Sequence, residues 1–209
     1  MRRAIPIFVL TLFFISLHPI LAQETEIPDE DERPPESIWL DAPPAMMYQY
    51  GEKTFTIALG MAIPTIFSGP NGILRNNFSM GGTANLGYDL FINSNIAIGG
   101  ELLGLFTGTV GDNMYYLIPI GFKATFQFII KAVEFPISLG VGVAPQKYLD
   151  EGYFGPYAKA TVAGYWRFRN DWSIGISYTW LLIAQWAKNP DETAYGNFST
   201  VSVSARFHL

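Results

Sequence analysis

Cysteine is absent from this chain. That excludes a disulfide framework, a thiolate metal site, a cysteine nucleophile and a lipid anchor carried on cysteine. Histidine is nearly absent: His18 and His208 are the two. Imidazole-based catalysis and His-rich metal binding therefore have little to work with. Charge is scarce, at 15% of residues against about 25% in an average soluble domain. The net charge of −5 is the wrong sign for a nucleic-acid partner. Beyond residue 22 there is no uninterrupted apolar run of the ~18 residues that a membrane helix needs. Yet 49% of the 209 residues are hydrophobic, 15% are aromatic and 20 are glycine. Such a chain is too apolar to be disordered as a whole. Its apolar residues must be arranged in some way other than long helices.

The first 22 residues have the form of an address. Arg2 and Arg3 precede an apolar stretch from Ala4 to Leu21, and Ala22-Gln23 is a cleavage junction. This predicts a secretory signal peptide over 1–22. An acidic, proline-punctuated segment follows, with Glu24, Glu26, Asp29, Glu30, Asp31, Glu32, Glu36 and Asp41 against a single basic residue, Arg33. Clustered carboxylates repel, and proline stops both helix and strand ladder. Residues 23–52 are therefore predicted to be a disordered acidic linker.

From residue 53 the hydrophobic period is two. In Thr54 to Ile63 the large residues Phe55, Ile57, Leu59, Met61 and Ile63 alternate with Thr54, Thr56, Ala58, Gly60 and Ala62. Phe135 to Ala144, Trp172 to Leu182 and Val201 to Leu209 repeat the pattern. Weaker alternation marks Met80 to Leu90, Ile96 to Phe106, Tyr116 to Phe128 and Tyr157 to Phe168. Eight strands of about 9–11 residues result, long enough to cross a bilayer when tilted. Tight turns at Asn93–Asn95, Lys131-Ala132 and Arg169–Asp171 alternate with longer connections at 65–77, 107–113, 145–155 and 183–196. That rhythm suits an all-β, eight-stranded, antiparallel up-and-down transmembrane barrel over 53–209.

The two faces of each strand decide between a membrane barrel and a soluble one. The large face is nearly free of charge, as a lipid-facing surface must be. The small face carries Asp89, Glu101, Lys123, Lys159, Arg167 and Arg206, which are expected in the barrel interior. Counting along neighbouring strands predicts a Glu101–Lys123 ion pair. Asp89, Arg167, Arg206 and His208 are expected near the short-turn mouth. Aromatics near strand ends, among them Phe78, Phe91 and Tyr115, are read as interfacial belts.

The C-terminal run Ser202-Val203-Ser204-Ala205-Arg206-Phe207-His208-Leu209 resembles the terminal strand signal of small outer-membrane barrels. Ser202 takes the polar position, Phe207 the aromatic one and Leu209 the terminal apolar one, while Ser204 replaces the usual glycine. With the eight-strand pattern, the chain resembles the OmpX, OmpW and OmpA transmembrane-domain group over 53–209. The resemblance implies an outer-membrane location with the linker and short turns periplasmic and the long loops extracellular. It implies outer-membrane lipid and the barrel assembly machinery as partners.

The inward positions are small at Ala58, Gly60, Ala62, Gly87, Gly99, Gly121, Gly140, Gly142 and Gly175. They leave either a narrow lumen or a collapsed one. The expected function is a narrow conduit for small or hydrophobic solutes. The alternative is a structural or adhesin-like barrel that meets a host ligand through its loops. No enzyme activity, cofactor or metal is expected, and no nucleic acid.

Overall fold

Strand alternation of this kind requires a sheet whose two faces meet different solvents, and the computed structural model has that form. It describes residues 47–69, 72–74, 77–109, 111, 113–149, 151–186 and 193–209. The predicted signal peptide over 1–22 and residues 23–46 of the predicted linker lie outside the described residues. The strands are β1 (Lys53–Gly69), β2 (Gly72–Leu74), β3 (Phe78–Phe91), β4 (Ile96–Thr109), β5 (Asn113–Leu117), β6 (Ile120–Ile130), β7 (Val133–Tyr148), β8 (Glu151–Arg167), β9 (Trp172–Gln185) and β10 (Ala194–His208). All pairings are antiparallel, and β1 pairs β10 from Thr54↔His208 to Ser68↔Tyr195, which closes the barrel.

Ten segments make eight staves. Strands β5 and β6 form one stave, both lying between β4 and β7. Pro119 interrupts it because proline has no N–H to give the ladder. The break is bridged: Leu103 N donates to Pro119 O and Ile118 N to Pro145 O, each at 2.9 Å. The short β2 folds back on the end of β1 through Phe67↔Leu74 and Gly69↔Gly72.

The expected short turns are present. At the first, Asn93 Oδ1 accepts from the backbone N–H groups of Asn95 (2.9 Å) and Ile96 (2.7 Å). An Asn side chain stands in for a backbone turn in this way. The longer connections differ from expectation. Strand β1 runs on to Gly69, and Pro145 to Tyr148 pairs with Glu151 to Phe154. Several staves therefore reach 14–17 residues. Backbone pairing continues past the point where side-chain alternation fades, because ladder bonds do not need it.

The polarity is that of a membrane barrel. Phe122, Leu139, Val141, Ile176 and Val203 stand exposed on the outside, while Thr54, Asp89, Glu101, Gln127 and Arg206 are buried inside. Water would penalise this outer belt, and hydrocarbon solvates it. Three expected belt aromatics turn inward instead. Phe91 is buried at the short-turn end, and Tyr115 and Phe78 join an interior cluster at the loop end. A register shift between Phe78 and Gly81 rotates Phe78 off the outer face.

Candidate functional site

The barrel interior is filled in three tiers. The first lies at the short-turn end, where Glu134 is 1% exposed. Its Oε2 accepts from Arg206 Nη1 (3.1 Å), Gln127 Nε2 (3.2 Å) and the Tyr48 hydroxyl (3.0 Å). Arg167 Nη1 lies 3.6 Å from the other carboxylate oxygen. Arg206 also donates to Gln127 Oε1 (3.0 Å), and its guanidinium stacks 3.9 Å above the Tyr165 ring. A delocalised, weakly hydrated cation tolerates such a site better than an ammonium would. Arg167, Arg206 and His208 thus gather at the mouth. Asp89 binds elsewhere. Sequence reasoning missed Glu134, although it shares the inward parity of Pro136 and Ser138.

The second tier corrects the expected Glu101–Lys123 pair. Lys123 Nζ binds Asp89 Oδ2 at 2.8 Å, and Lys159 Nζ binds Glu101 Oε2 at 2.5 Å. The register explains the exchange. Lys123 stands opposite Gly99, which stands opposite Asp89, so the lysine reaches across an empty position to the aspartate. Glu101 stands opposite Gly121, which faces Gly142. It passes over Gly140, where a Cβ would sit 2.7 Å from its Oε1, to reach Lys159, and accepts a further bond from the Tyr157 hydroxyl at 3.0 Å. A Cβ at Gly142 would sit 2.2 Å from Ile120 O and 2.8 Å from the Tyr157 ring. The small inward residues are thus crossing points for long side chains. A leucine at Gly142 would test folding before it tested flux. One small cavity of about 40 Å³ remains in this tier, lined in part by Thr56, Thr83 and Asn85.

The third tier is apolar. Leu103, Leu105, Leu117, Leu181, Ile183 and Phe198 pack with Tyr115 and Tyr157 into one buried cluster toward the loop end. These leucines share the inward parity of Glu101, Tyr115 and Thr179 along their strands. Phe198 and Tyr115 lie parallel (6°), with ring centroids 6.2 Å apart. Gln146 accepts from the Tyr115 hydroxyl (2.6 Å) and donates to Ala184 O (3.0 Å), so the buried amide is satisfied at both ends. Above this cluster opens a vestibule of about 320 Å³. Phe67, Phe78, Tyr148, Ile183 and Tyr195 form much of its wall, with Gln146 and Gln185, and its lining carries no charged residue among the described ones.

At the C-terminal strand Ser202 faces inward, Phe207 packs on Trp172 with centroids 5.0 Å apart, and Leu209 is exposed. Tyr48, which composition groups with the linker, is buried in the short-turn mouth. No periodicity marks it. His208 is flanked by Ser173 Oγ at 2.7 Å and the Tyr48 hydroxyl at 2.9 Å. Within the 183–196 connection, Lys188 lies outside the described residues. Phe154 and Trp186 form a bridge and are both exposed.

Comparison with known proteins agrees with this architecture. A family model matches residues 35–207. An uncharacterized protein of Treponema pallidum (strain Nichols) is 32% identical over 129 residues, 62% of this chain and 59% of that protein. A second from the same organism is 24% identical over 142 residues, 61% of this chain and 49% of that protein. The chain thus spans about half to three-fifths of the length of these relatives. Among solved structures, Neisserial surface protein A superposes with a TM-score of 0.56 at 11% identity, covering 75% of this chain and 96% of that one. Ail, the attachment invasion locus protein of Yersinia pestis, gives 0.50 at 15% identity, covering 77% and 100%. The fold is that of the small outer-membrane β-barrels.

Proposed function

We propose that this chain, which belongs to the family whose model matches residues 35–207, is an outer-membrane barrel that takes a small hydrophobic solute into its loop-end vestibule and is closed to flow along its axis. The observation that carries the reading is the filled interior. The ion-paired tiers enclose a cavity of about 40 Å³, far below the few hundred Å³ that a small-molecule site occupies. The vestibule, at about 320 Å³, lies within that range. A solute bound there would leave by the loops or sideways into lipid. The reading places the short turns and the N-terminal segment in the periplasm and the long loops outside the cell. It makes outer-membrane lipid and the barrel assembly machinery the partners, and it calls for no catalysis.

A second reading, contact with a host surface through the loops, draws on the exposed Leu149, Phe154 and Trp186. The Ail structure contains a heparin analogue, sucrose octasulfate. An anion of that kind would require basic loops; Lys147 is exposed there, while the described residues of the vestibule wall include no cation.

The test is a titration of the refolded chain with the fluorescent apolar probe 1-N-phenylnaphthylamine. Saturable enhancement is expected, weakened about tenfold or more by Ile183→Asp. That substitution puts an unpaired carboxylate in the vestibule floor. Equal enhancement with both proteins, each shown folded by a heat-modifiable gel shift, would reject the vestibule as the site.

A further inference from the structure

The short-turn mouth holds a second site, and the chain itself fills it. Tyr48 is 3% exposed, whereas its neighbours Met47 and Tyr50 are 72% and 84% exposed. One aromatic side chain has been tucked into the barrel from a segment that is not strand. A tight turn delivers it. Glu52 N donates to Gln49 O (3.2 Å), Gly51 N donates to Phe91 O (2.9 Å), and Gly51 has a φ of +90°, which favours glycine.

The slot fits a phenol at every point. The Phe91 ring lies parallel to the Tyr48 ring (4°), with centroids 3.7 Å apart. Ala97 and Ile129 complete the apolar wall. The Arg167 guanidinium stands 5.5 Å from the ring centroid. The hydroxyl meets Glu134 Oε2 at 3.0 Å and His208 Nδ1 at 2.9 Å. One proton arrangement satisfies the whole chain of contacts. Ser173 O–H donates to His208 Nε2, His208 Nδ1–H donates to the phenol oxygen, and the phenol donates to the Glu134 carboxylate. Burial, and next the negative Glu134, push the Tyr48 phenol well above its usual range, so it remains a donor.

The groups behind Tyr48 do not depend on it. Glu134 keeps Arg206, Gln127 and Arg167 as partners, Arg206 keeps Gln127 and the Tyr165 face, and His208 keeps Ser173. No buried charge is orphaned when Tyr48 leaves. The barrel also closes through β1 and β10 without any residue before Lys53. We propose that the short-turn mouth is a phenol-binding slot, filled in cis by Tyr48, and that Tyr48 is a removable stopper which seals this end of the barrel.

The absence of cysteine makes the test clean. Ala97→Cys places one thiol in the slot wall, where the native residue is 0% exposed. The full chain is refolded in detergent and treated with a small water-soluble methanethiosulfonate. With Tyr48 present, labelling should be slow. With Tyr48→Ala added, the barrel should still fold by the heat-modifiable gel shift, and labelling should accelerate at least tenfold. Tyr48→Phe keeps the ring on Phe91 and should stay within a few-fold of the parent. Added p-cresol should then protect the thiol in the Tyr48→Ala barrel, and toluene should protect it less. Unchanged labelling on Tyr48→Ala would show that Tyr48 seals nothing. Absence of p-cresol protection would show that the mouth is not a phenol site. A barrel that folds with Tyr48→Phe but not with Tyr48→Ala would make Tyr48 a structural pillar, and the stopper would be rejected.

Discussion

Replacing Glu134 by glutamine is expected to cost about 3–5 kcal/mol of barrel stability, the penalty for removing one partner of a buried ion pair. The amide keeps the shape and loses the charge. Arg206 is 4% exposed and has no carboxylate within bonding distance other than Glu134 among the described residues. Arg167 lies 3.6 Å from the same group. Both guanidiniums would then stand without their counter-ion in a closed space, and Arg206 cannot shed its proton to escape. Urea unfolding in lipid vesicles, followed by tryptophan fluorescence, reads the loss. Adding Arg206→Met should restore most of it, because a buried pair exchanged for apolar volume is often neutral. A Glu134→Gln barrel as stable as its parent would mean that the network around Arg206 is ornamental.

The second large effect concerns partner choice in the middle tier. Glu101→Gln strands Lys159, whose side chain is 3% exposed, and about 3–5 kcal/mol is again expected. The informative quantity is the coupling. A double-mutant cycle on Glu101 and Lys159→Met should give an interaction of about 2–3 kcal/mol, and one on Glu101 and Lys123→Met less than about 0.5 kcal/mol. The pair Asp89 and Lys123, at 2.8 Å, should couple strongly. A strong Glu101–Lys123 coupling would restore the arrangement expected from strand counting and contradict the crossing over Gly99 and Gly140.

These two tiers show where sequence is informative and where it stops. Period-two alternation makes the staves, their inward faces and the inward leucines legible, because a pleated strand must alternate and lipid tolerates no charge on one face. Glu134 was legible in principle. It lies one residue before Phe135, where the large residues begin, and extending the parity by one step points it inward. The ion-pair partners were not legible. Register gives neighbours, whereas Lys123 and Glu101 skip over glycines to strands beyond their neighbours. That choice depends on which adjacent positions lack a side chain and on the barrel's stagger, and no local pattern encodes it. Phe78 was misplaced for a related reason, since one bulge reverses the face of every residue beyond it. Tyr48 carries no periodic signal at all. Its burial follows from a slot built by Phe91, Glu134 and His208, which come from three separate strands.

The interior tiers also give the glycines a purpose. Tyr157 lies over Gly142 and Tyr165 over Gly175, where a Cβ would fall 2.8 and 2.6 Å from the rings. Aromatic rings and long charged chains replace the volume that the glycines omit. The barrel is thereby filled without bulky residues on every inward position.

The most direct measurement is single-channel recording of the refolded chain in a planar bilayer. A lumen blocked by the Glu134–Arg206 network, the Glu101–Lys159 pair and the Leu117–Leu181–Phe198 cluster predicts silence from protein shown folded by its heat-modifiable gel shift. Discrete openings whose conductance changes with Glu101→Gln or Lys123→Gln would establish an open axial path and contradict it.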